Sequence, residues 1–270
     1  MSKAAPPSIW MRPEPGDRKP RFSREKIAQA ALDIADSAGF EAVSMREVAS
    51  RLGAGTMTLY HYVRTKDDLV ALMDDALLAE VLVPAAELPK GWRAQLSAIA
   101  LRTRAVYERH PWALLAMRGA RPGPNGLRHF EQCLAALAET RLDIQAKLEL
   151  LGVIDDLVCG HALRAGEMAA LEGGAETADS YQQFAQRQLA TGQFPHMAAL
   201  FGDTDMREAE ARMSAFTSSA QRFERGLRAL LDAAERGMRG GTARASRETT
   251  TRLTRTAKPR STRRRPRKRP

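Results

Sequence analysis

Residues Gly53–Leu69, GAGTMTLYHYVRTKDDL, are the stretch that decides the fold of this chain of 270 residues. If Thr56–Val63 is helical, only Leu59 and Val63, four positions apart, lie on one apolar stripe that can face a core. Threonine, tyrosine and histidine side chains occupy the other faces. We therefore expect this helix to present a polar surface to another molecule.

The segments on either side of this helix are also predicted to be helical. A first helix, with apolar residues at helical spacing, ends at Gly39. Ser44 begins a short second helix through a capping box, because its hydroxyl can accept from the Glu47 N–H while the Glu47 carboxylate reaches back. Thr65 and Asp68 form a similar motif at the start of a longer fourth helix. The second and third helices, joined by a tight glycine-containing turn, form the signature of a helix-turn-helix unit.

Helical patterns, without alternating strand patterns, continue through the rest of the chain. The predicted fold class is all-α, with an N-terminal three-helix helix-turn-helix domain and a helical C-terminal ligand-binding and dimerisation domain. The last helix carries an apolar seam with alternating steps of three and four residues, which fits either a dimer bundle or a core within one chain. The seam consists of Met213, Phe216, Ala220, Phe223, Leu227, Leu230 and Ala234.

The net charge of +10 is concentrated at the C-terminus. Residues 239–270 contain thirteen Lys/Arg and a single acidic residue, Glu248, which gives a net charge of +12. Subtracting this from the total leaves −2 for residues 1–238, so the folded part is predicted to be nearly neutral. Four regions are expected: a flexible arm over 1–22, a DNA-binding domain over 23–68, a helical effector-binding and dimerisation domain over 69–238, and a disordered basic tail over 239–270. Within the arm, Ile9, Trp10 and Met11 could dock onto the folded part.

Composition and motifs exclude several classes of protein. No apolar run approaches the length of a membrane span, and the proline-rich, charged N-terminus lacks the apolar core of a secretory signal. Cys133 and Cys159 lie in helical patterns without metal-ligand spacing, which is typical of free thiols in a reducing compartment. Motifs for a nucleophile, a metal, a P-loop or a dinucleotide are absent. We therefore expect a cytoplasmic protein without catalytic residues, cofactor or metal.

The polar face of the third helix suits the recognition of double-stranded DNA. In the major groove, threonine can contact thymine methyl groups, histidine can hydrogen-bond to base edges, and tyrosine hydroxyls can reach phosphates. Lys66 and the free N–H groups of the fourth helix would hold a phosphate, and Arg46 would contact the backbone or a base. A merely solvated helical face is the competing interpretation. The candidates on the third helix are Thr56, Thr58, Tyr60, His61 and Tyr62.

Residues 23–78, which include AALDIADSAGFEAVSMREVASRLGAGTMTLYHYVRTKDDLVALM, resemble the N-terminal domain of the tetracycline-repressor (TetR) family. The hallmark is the run G-x-x-x-x-TLY-x-x-[FV]-x-x-K-x-x-L, which begins here at Gly53. The resemblance implies an operator of double-stranded DNA and, as the family's usual behaviour, repression. It implies DNA contacts by Met45 and Arg46 in the second helix, by Thr56, Met57, Thr58, Tyr60, His61 and Tyr62 in the third, and by Lys66.

The C-terminal part resembles the subgroup that shares the tetracycline repressor's own C-terminal domain. The resemblance lies in RHPWALLAMRGARPGPNGLRHFE (residues 109–131), a long helix, and FERGLRALLDAAE (residues 223–235). In that subgroup the long helix and the final helix pair across a two-fold axis in a four-helix bundle, which implies a homodimer here. The interface residues implied are Leu157, Phe216, Ala220, Phe223, Leu227 and Leu230.

The same resemblance implies a small-molecule effector, of unknown identity, within the C-terminal domain. The repressor that names the family binds magnesium-tetracycline through a histidine in the segment V-H-L-G-T-R-P, which matches residues 116–122 here. Met117 replaces that histidine, Ala120 replaces the threonine, and Arg164 stands where the family has an acid that supports the metal. Magnesium-tetracycline is therefore disfavoured as the effector.

Small-ligand sites are usually apolar cavities with a few polar anchors. Each candidate for lining such a cavity also has an ordinary interpretation as a core or interface side chain. Asp155, beside Asp156 on an apolar helix, is the hardest to explain in that way, because a buried carboxylate needs a partner. The partners considered are Arg104, Arg118, Arg121 and a cationic ligand. The cavity candidates are Trp112, Met117, Phe130, Asp155, Cys159 and His161.

The function predicted is a sequence-specific DNA-binding transcriptional regulator, a repressor that leaves its operator when an effector favours another spacing of the two recognition helices. The alternative is an architectural, mainly non-specific DNA binder that depends on the basic tail. Removal of residues 239–270 would abolish DNA binding by the architectural protein. The regulator would instead lose DNA binding on Tyr60→Ala or Thr58→Ala.

Overall fold

The computed structural model describes residues 8–15, 22–117, 121–171, 175–201, 208 and 220–256, and within these residues it contains helices and no strand. This confirms the predicted all-α fold class. The α-helices are α1 (Arg24–Ala38), α2 (Met45–Arg51), α3 (Thr56–Tyr62), α4 (Lys66–Val81), α5 (Trp92–Arg109), α6 (Ala113–Ala116), α7 (Pro124–Ala136), α8 (Ile144–Leu171), α9 (Ala175–Ala190), α10 (Pro195–Phe201) and α11 (Ala220–Thr256).

The predicted capping motifs begin α2 and α4. The Ser44 hydroxyl accepts from the Glu47 N–H at 3.2 Å, which is the first half of the predicted capping box. At the start of α4, Thr65 Oγ1 accepts from the Asp68 N–H at 3.0 Å. The Asp68 carboxylate in turn accepts from the Arg64 N–H at 3.0 Å. Backbone donors at both helix starts are thus satisfied within a few residues of sequence.

The helix-turn-helix unit is closed by the sharp turn between α2 and α3. Gly53 has φ +60°, a left-handed conformation that favours glycine because it has no Cβ. Leu59 and Val63 are fully buried, as their spacing predicts. α3 ends one residue earlier than predicted, because the backbone of Val63 is already extended.

Residues 8–15, which were predicted to belong to a flexible arm, are packed onto this unit. Ile9–Met11 form a 3₁₀ turn, and Ile9 is only 1% exposed in the core. The Arg24 guanidinium donates to the carbonyl oxygens of Ile9 (3.1 Å) and Arg12 (2.9 Å), and Arg12 pairs with Asp68 at 2.5 Å. A buried apolar side chain and these polar contacts offset the entropy lost by ordering the segment.

A second core lies in the C-terminal part, between α5, α7, α8 and α11. It contains Leu96, Leu137, Val158 and Phe223, among others. Arg93 on α5 pairs with Asp232 and Glu235, and so ties α11 to the same core.

The last helix is longer than the sequence indicates. α11 continues to Thr256, so residues 239–256, predicted to lie in a disordered tail, have a helical backbone. Once packing has nucleated a helix, adding a further residue costs little free energy. Residues 239–256 can therefore continue the helix without a core of their own. Residues 257–270 lie outside the described residues.

Candidate DNA interface and effector cavity

α3 presents the residues that were predicted to read DNA. Met57 is 75% exposed and Tyr60 42% exposed, and His61 is also exposed. Thr56, Thr58 and Tyr62 are half-buried on the edges of the same helix. The buried side chain of Leu59 anchors the helix, so the polar residues form its outer surface.

The residues predicted on α2 and α4 lie beside this surface. α2 is in contact with α3, and it carries Arg46 exposed and Met45 half-buried against the core. Lys66, the first residue of α4, is exposed, and its Nζ lies 5.3 Å from the ring centroid of Phe40. That cation–π contact holds the lysine beside the free N–H groups of the helix start.

A cavity of about 360 Å³ opens between α5, α7 and α8. Its size falls within the range of small-molecule sites. Its walls are apolar apart from Thr103, His129, Cys133 and Asp155. The complete lining is Leu96, Ile99, Ala100, Thr103, His129, Phe130, Cys133, Leu148, Leu151, Gly152, Ile154, Asp155 and Val158.

Two of the six residues predicted for the effector site, Phe130 and Asp155, line this cavity. Cys159 lies next to it, with Sγ 3.9 Å from Asp155 Oδ1. The other three lie elsewhere. Met117 is buried in the core shared by the helix-turn-helix unit and α4, Trp112 packs at the edge of that core, and His161 lies between α8 and α11.

Asp155 is exposed rather than buried as predicted, and the other polar groups of the cavity are half-buried or buried. Burial, as the main cause, raises the pKa of Asp155, and nearby His129 opposes that shift. Burial lowers the pKa of His129, which favours the neutral imidazole. Burial also raises the pKa of Cys133 to about 11 and that of Cys159 to about 12, so both are thiols rather than thiolates near neutral pH.

His129 was not predicted from the sequence. Its position four residues before Cys133 on α7 is the one signal that placed both residues on the same face. Its proximity to Asp155 depends on how α7 crosses α8, which the spacing along a single helix does not reveal. Of the partners considered for Asp155, Arg104 pairs with Glu108 at 3.3 Å and Arg121 is exposed, while Arg118 lies outside the described residues.

Trp112 joins the C-terminal part to the helix-turn-helix unit. Its indole N–H donates to the Asp36 carboxylate of α1 at 2.8 Å, and its ring stacks on Phe40 with centroids 5.8 Å apart. The neighbouring His110 donates from Nδ1 to the same carboxylate at 2.7 Å. Phe40 therefore lies between Trp112 and the phosphate-binding candidate Lys66.

A second joint connects α4 with α7. The buried Asp75 carboxylate accepts from the backbone N–H groups of Asn125 (2.7 Å) and Gly126 (3.2 Å) in the first turn of α7. The Asn125 side chain donates to the same carboxylate at 2.9 Å. A Cβ on Gly123 would come within 2.4 Å of Asp75 and 2.5 Å of Trp10, so this junction requires glycine for close approach.

The residues predicted for a dimer interface divide into several environments. Leu157 and Phe223 line a groove of about 470 Å³ between α8 and α11, together with Arg164, Arg222 and Arg225. Phe223 and Leu227 are nevertheless buried within one protomer, and Leu231 continues that stripe. Leu230 is half-buried and Ala220 exposed, while Phe216 lies outside the described residues. The seam thus belongs partly to the core of the single chain, an alternative that its spacing left open.

The described part of the chain lacks a metal-binding cluster and a membrane-spanning helix. It holds no group of three His, Cys, Asp or Glu side chains arranged to bind a metal ion. None of its helices combines the length and apolarity that crossing a bilayer requires.

Comparison with known proteins gives consistent matches over both parts of the chain. The family model described as "Bacterial regulatory proteins, tetR family" matches residues 27–73, and that described as "Tetracyclin repressor-like, C-terminal domain" matches residues 84–237. The chain is 35% identical over 226 residues to the HTH-type transcriptional repressor DrrR1 of Streptomyces coeruleorubidus, covering 80% of this chain and 78% of that protein.

Solved structures show the same fold. Apo ActR from Streptomyces coelicolor matches with a TM-score of 0.64 at 24% identity, covering 83% of this chain and 99% of its own. ActR in complex with actinorhodin matches with a TM-score of 0.61 at 25% identity, covering 82% of this chain and 99% of its own.

Proposed function

The chain belongs to the TetR family of DNA-binding transcriptional regulators, and from this premise we propose that it is a repressor that α3 directs to its operator and that a small molecule in the α5–α7–α8 cavity releases. The proposal rests mainly on the outer surface of α3. Met57, Tyr60 and His61 are exposed there and are available to contact DNA. Relatives support the repressor assignment, since DrrR1 is named a repressor and ActR has been crystallised with actinorhodin.

The DNA contacts follow from the chemistry of each side chain. Thr56, Thr58 and His61 read base edges, while the hydroxyls of Tyr60 and Tyr62 reach phosphates. Met57 packs against bases, with Met45 and Arg46 of α2 at the edge of the groove. Lys66 and the start of α4 hold a phosphate.

The proposed repressor is a cytoplasmic homodimer. The groove between α8 and α11, which Leu157 lines, is the surface proposed for the partner, together with the exposed Ala220 at the start of α11. Two-fold symmetry then places two copies of α3 about one DNA turn apart, which fits a palindromic operator. The DNA-binding domain, residues 23–68, and the effector domain, residues 69–238, share α4, which crosses their boundary.

α4 and the Trp112 joint provide the connection between effector and operator. α7 lines the cavity through His129 and Phe130, and its first turn is held by Asp75 of α4. An effector that shifts α7 therefore moves α4, and with it the spacing of the two α3 helices. Such a coupling typically changes DNA affinity by about 1–3 kcal/mol.

Fluorescence anisotropy with DNA from the chain's own upstream region and a shuffled control tests this proposal. Tyr60→Ala and His61→Ala should each weaken binding to upstream DNA by about fivefold or more, because losing a phosphate contact or a base contact costs about 1–3 kcal/mol. The matched control is Gln145→Ala, which changes an exposed side chain of α8. Equal binding of the upstream and shuffled DNA by all variants would refute the proposal for that region.

A further inference from the structure

The charges around α8 are separated between its two sides. The lining of the cavity contains one carboxylate, Asp155, and neither lysine nor arginine. Arginines are present on the other side of the helix, where Arg164, Arg222 and Arg225 line the groove against α11. The cavity thus presents a net negative charge beside a surface that is rich in positive charge.

Asp155 has no strong cationic partner among the described residues. Its nearest polar groups are the Cys159 thiol, 3.9 Å away, and the imidazole of His129. Burial favours the neutral form of that imidazole, and its buried Nδ1 has no hydrogen-bond partner in the described part of the chain. The Asp155 side chain is exposed in the lining of the cavity, so a cation that enters the cavity can pair with its carboxylate.

A second carboxylate, outside the cavity lining, shares a neighbour with Asp155. Asp74 on α4 and Asp155 on α8 both act on the hydroxyl of Tyr107, whose pKa is raised mainly by burial and further by these charges and by Cys159. An anionic ligand in the cavity would be repelled by Asp155 and would find neither lysine nor arginine in the lining to bind it. A neutral ligand would gain no charge–charge attraction from Asp155.

The rest of the cavity lining favours a ligand that contains a ring system. Phe130 is 47% exposed and lines the cavity, and apart from Thr103, Gly152 and Asp155 the side chains of α5 and α8 there are aliphatic. Gly152 leaves room on α8, since a Cβ at this position would meet no atom within 4 Å. An aromatic face beside a carboxylate is suited to a cation, because both attract positive charge.

We propose that the cavity binds an organic cation, a ring-containing amine whose protonated nitrogen pairs with Asp155 and whose apolar part lies against Phe130 and the aliphatic walls. This inference rests on the proposed function, because it specifies the chemical class of the effector. The neutral imidazole of His129 accepts a second hydrogen bond from the same protonated nitrogen.

Three pyrenes with the same ring and different charge test the inference by fluorescence titration near neutral pH: 1-pyrenemethylamine, 1-pyrenemethanol and 1-pyrenecarboxylate. The full-length protein should bind the amine about tenfold or more tightly than the other two, as expected for a charge-assisted hydrogen bond. Asp155→Asn should remove that preference and leave the affinity for the alcohol within about twofold. The control Glu149→Gln, an exposed carboxylate of α8 outside the cavity lining, should keep the preference.

Gly152→Leu, which fills the open space, identifies where the probes bind. Loss of amine binding in this variant places the probe in the cavity. If all three pyrenes bind equally and Gly152→Leu abolishes their binding, the cation inference is overturned while the cavity stays the ligand site of the proposed function. If Gly152→Leu leaves binding unchanged, both the inference and the proposed location of the effector fail. Binding of none of the three also overturns the inference.

Discussion

At the residue scale, Asp74 on α4 is a carboxylate whose charge lowers the stability of the fold. Its pKa is raised from 3.8 to about 6, first by burial and second by the charge of Asp75. The folded state therefore holds this proton more tightly than the unfolded state, and ionising Asp74 lowers the free energy of unfolding as pH rises through that interval. Asp74→Asn should raise the free energy of unfolding by about 1–2 kcal/mol near pH 8, allowing for solvent screening of a partly exposed group.

The pH dependence of that gain separates this explanation from a change in packing. The gain should shrink as pH falls below about 6 and disappear below the unfolded pKa of 3.8, where both states are protonated. Urea unfolding at about pH 8 and about pH 4.5 measures it. Glu139→Gln, at an exposed carboxylate, serves as the control. A gain of equal size at both pH values would show that charge is not the cause.

At the element scale, the junction of the N-terminal turn, α4 and α7 depends on one glycine. Gly123→Ala would place a Cβ within 2.6 Å of the Asp75 carboxylate and of Trp10, so we expect a loss of about 1–3 kcal/mol in the free energy of unfolding. Hydrogen exchange should also increase at the Asn125 and Gly126 amides, which Asp75 now holds.

The same substitution elsewhere provides the matched comparison. Gly152→Ala, in the interior of α8 with no atom within 4 Å of the new methyl group, should raise the free energy of unfolding by about 0.5–1 kcal/mol, because alanine favours the helix. Changes of opposite sign in the free energy of unfolding of the two variants would support the close approach at Gly123. A destabilisation of similar size in both would attribute the effect to glycine loss in general.

The sequence predicts where helices begin better than it predicts which helices pack together. The difference arises because a helix start depends on residues a few positions apart. Helix starts at Ser44 and Thr65 follow from hydrogen bonds that span only three residues, so they are readable in advance. The place of Trp112, in contrast, depends on Asp36, 76 positions earlier in the chain. Helical spacing predicts that such a residue faces inward, but it does not predict the core in which the residue is buried. For that reason only Phe130 and Asp155, of the six residues predicted for the effector site, line the cavity.

At the scale of the whole molecule, the question is which part of the chain distinguishes one DNA sequence from another. Residues 1–238 carry a net charge of −2, and residues 239–270 carry +12. Phosphate contacts made by such a tail give affinity that falls steeply with salt, but they do not read bases. We therefore assign sequence preference to α3 and only salt-dependent affinity to the tail.

The most direct measurement compares the full chain with a 1–238 truncation against upstream and shuffled DNA across a salt series, by fluorescence anisotropy. The account predicts that both proteins prefer upstream DNA by the same ratio and that the truncation shows a shallower dependence on salt. If instead both proteins bind the two DNAs alike and the truncation barely binds, the basic tail drives binding and the assignment of α3 as the reading helix is contradicted.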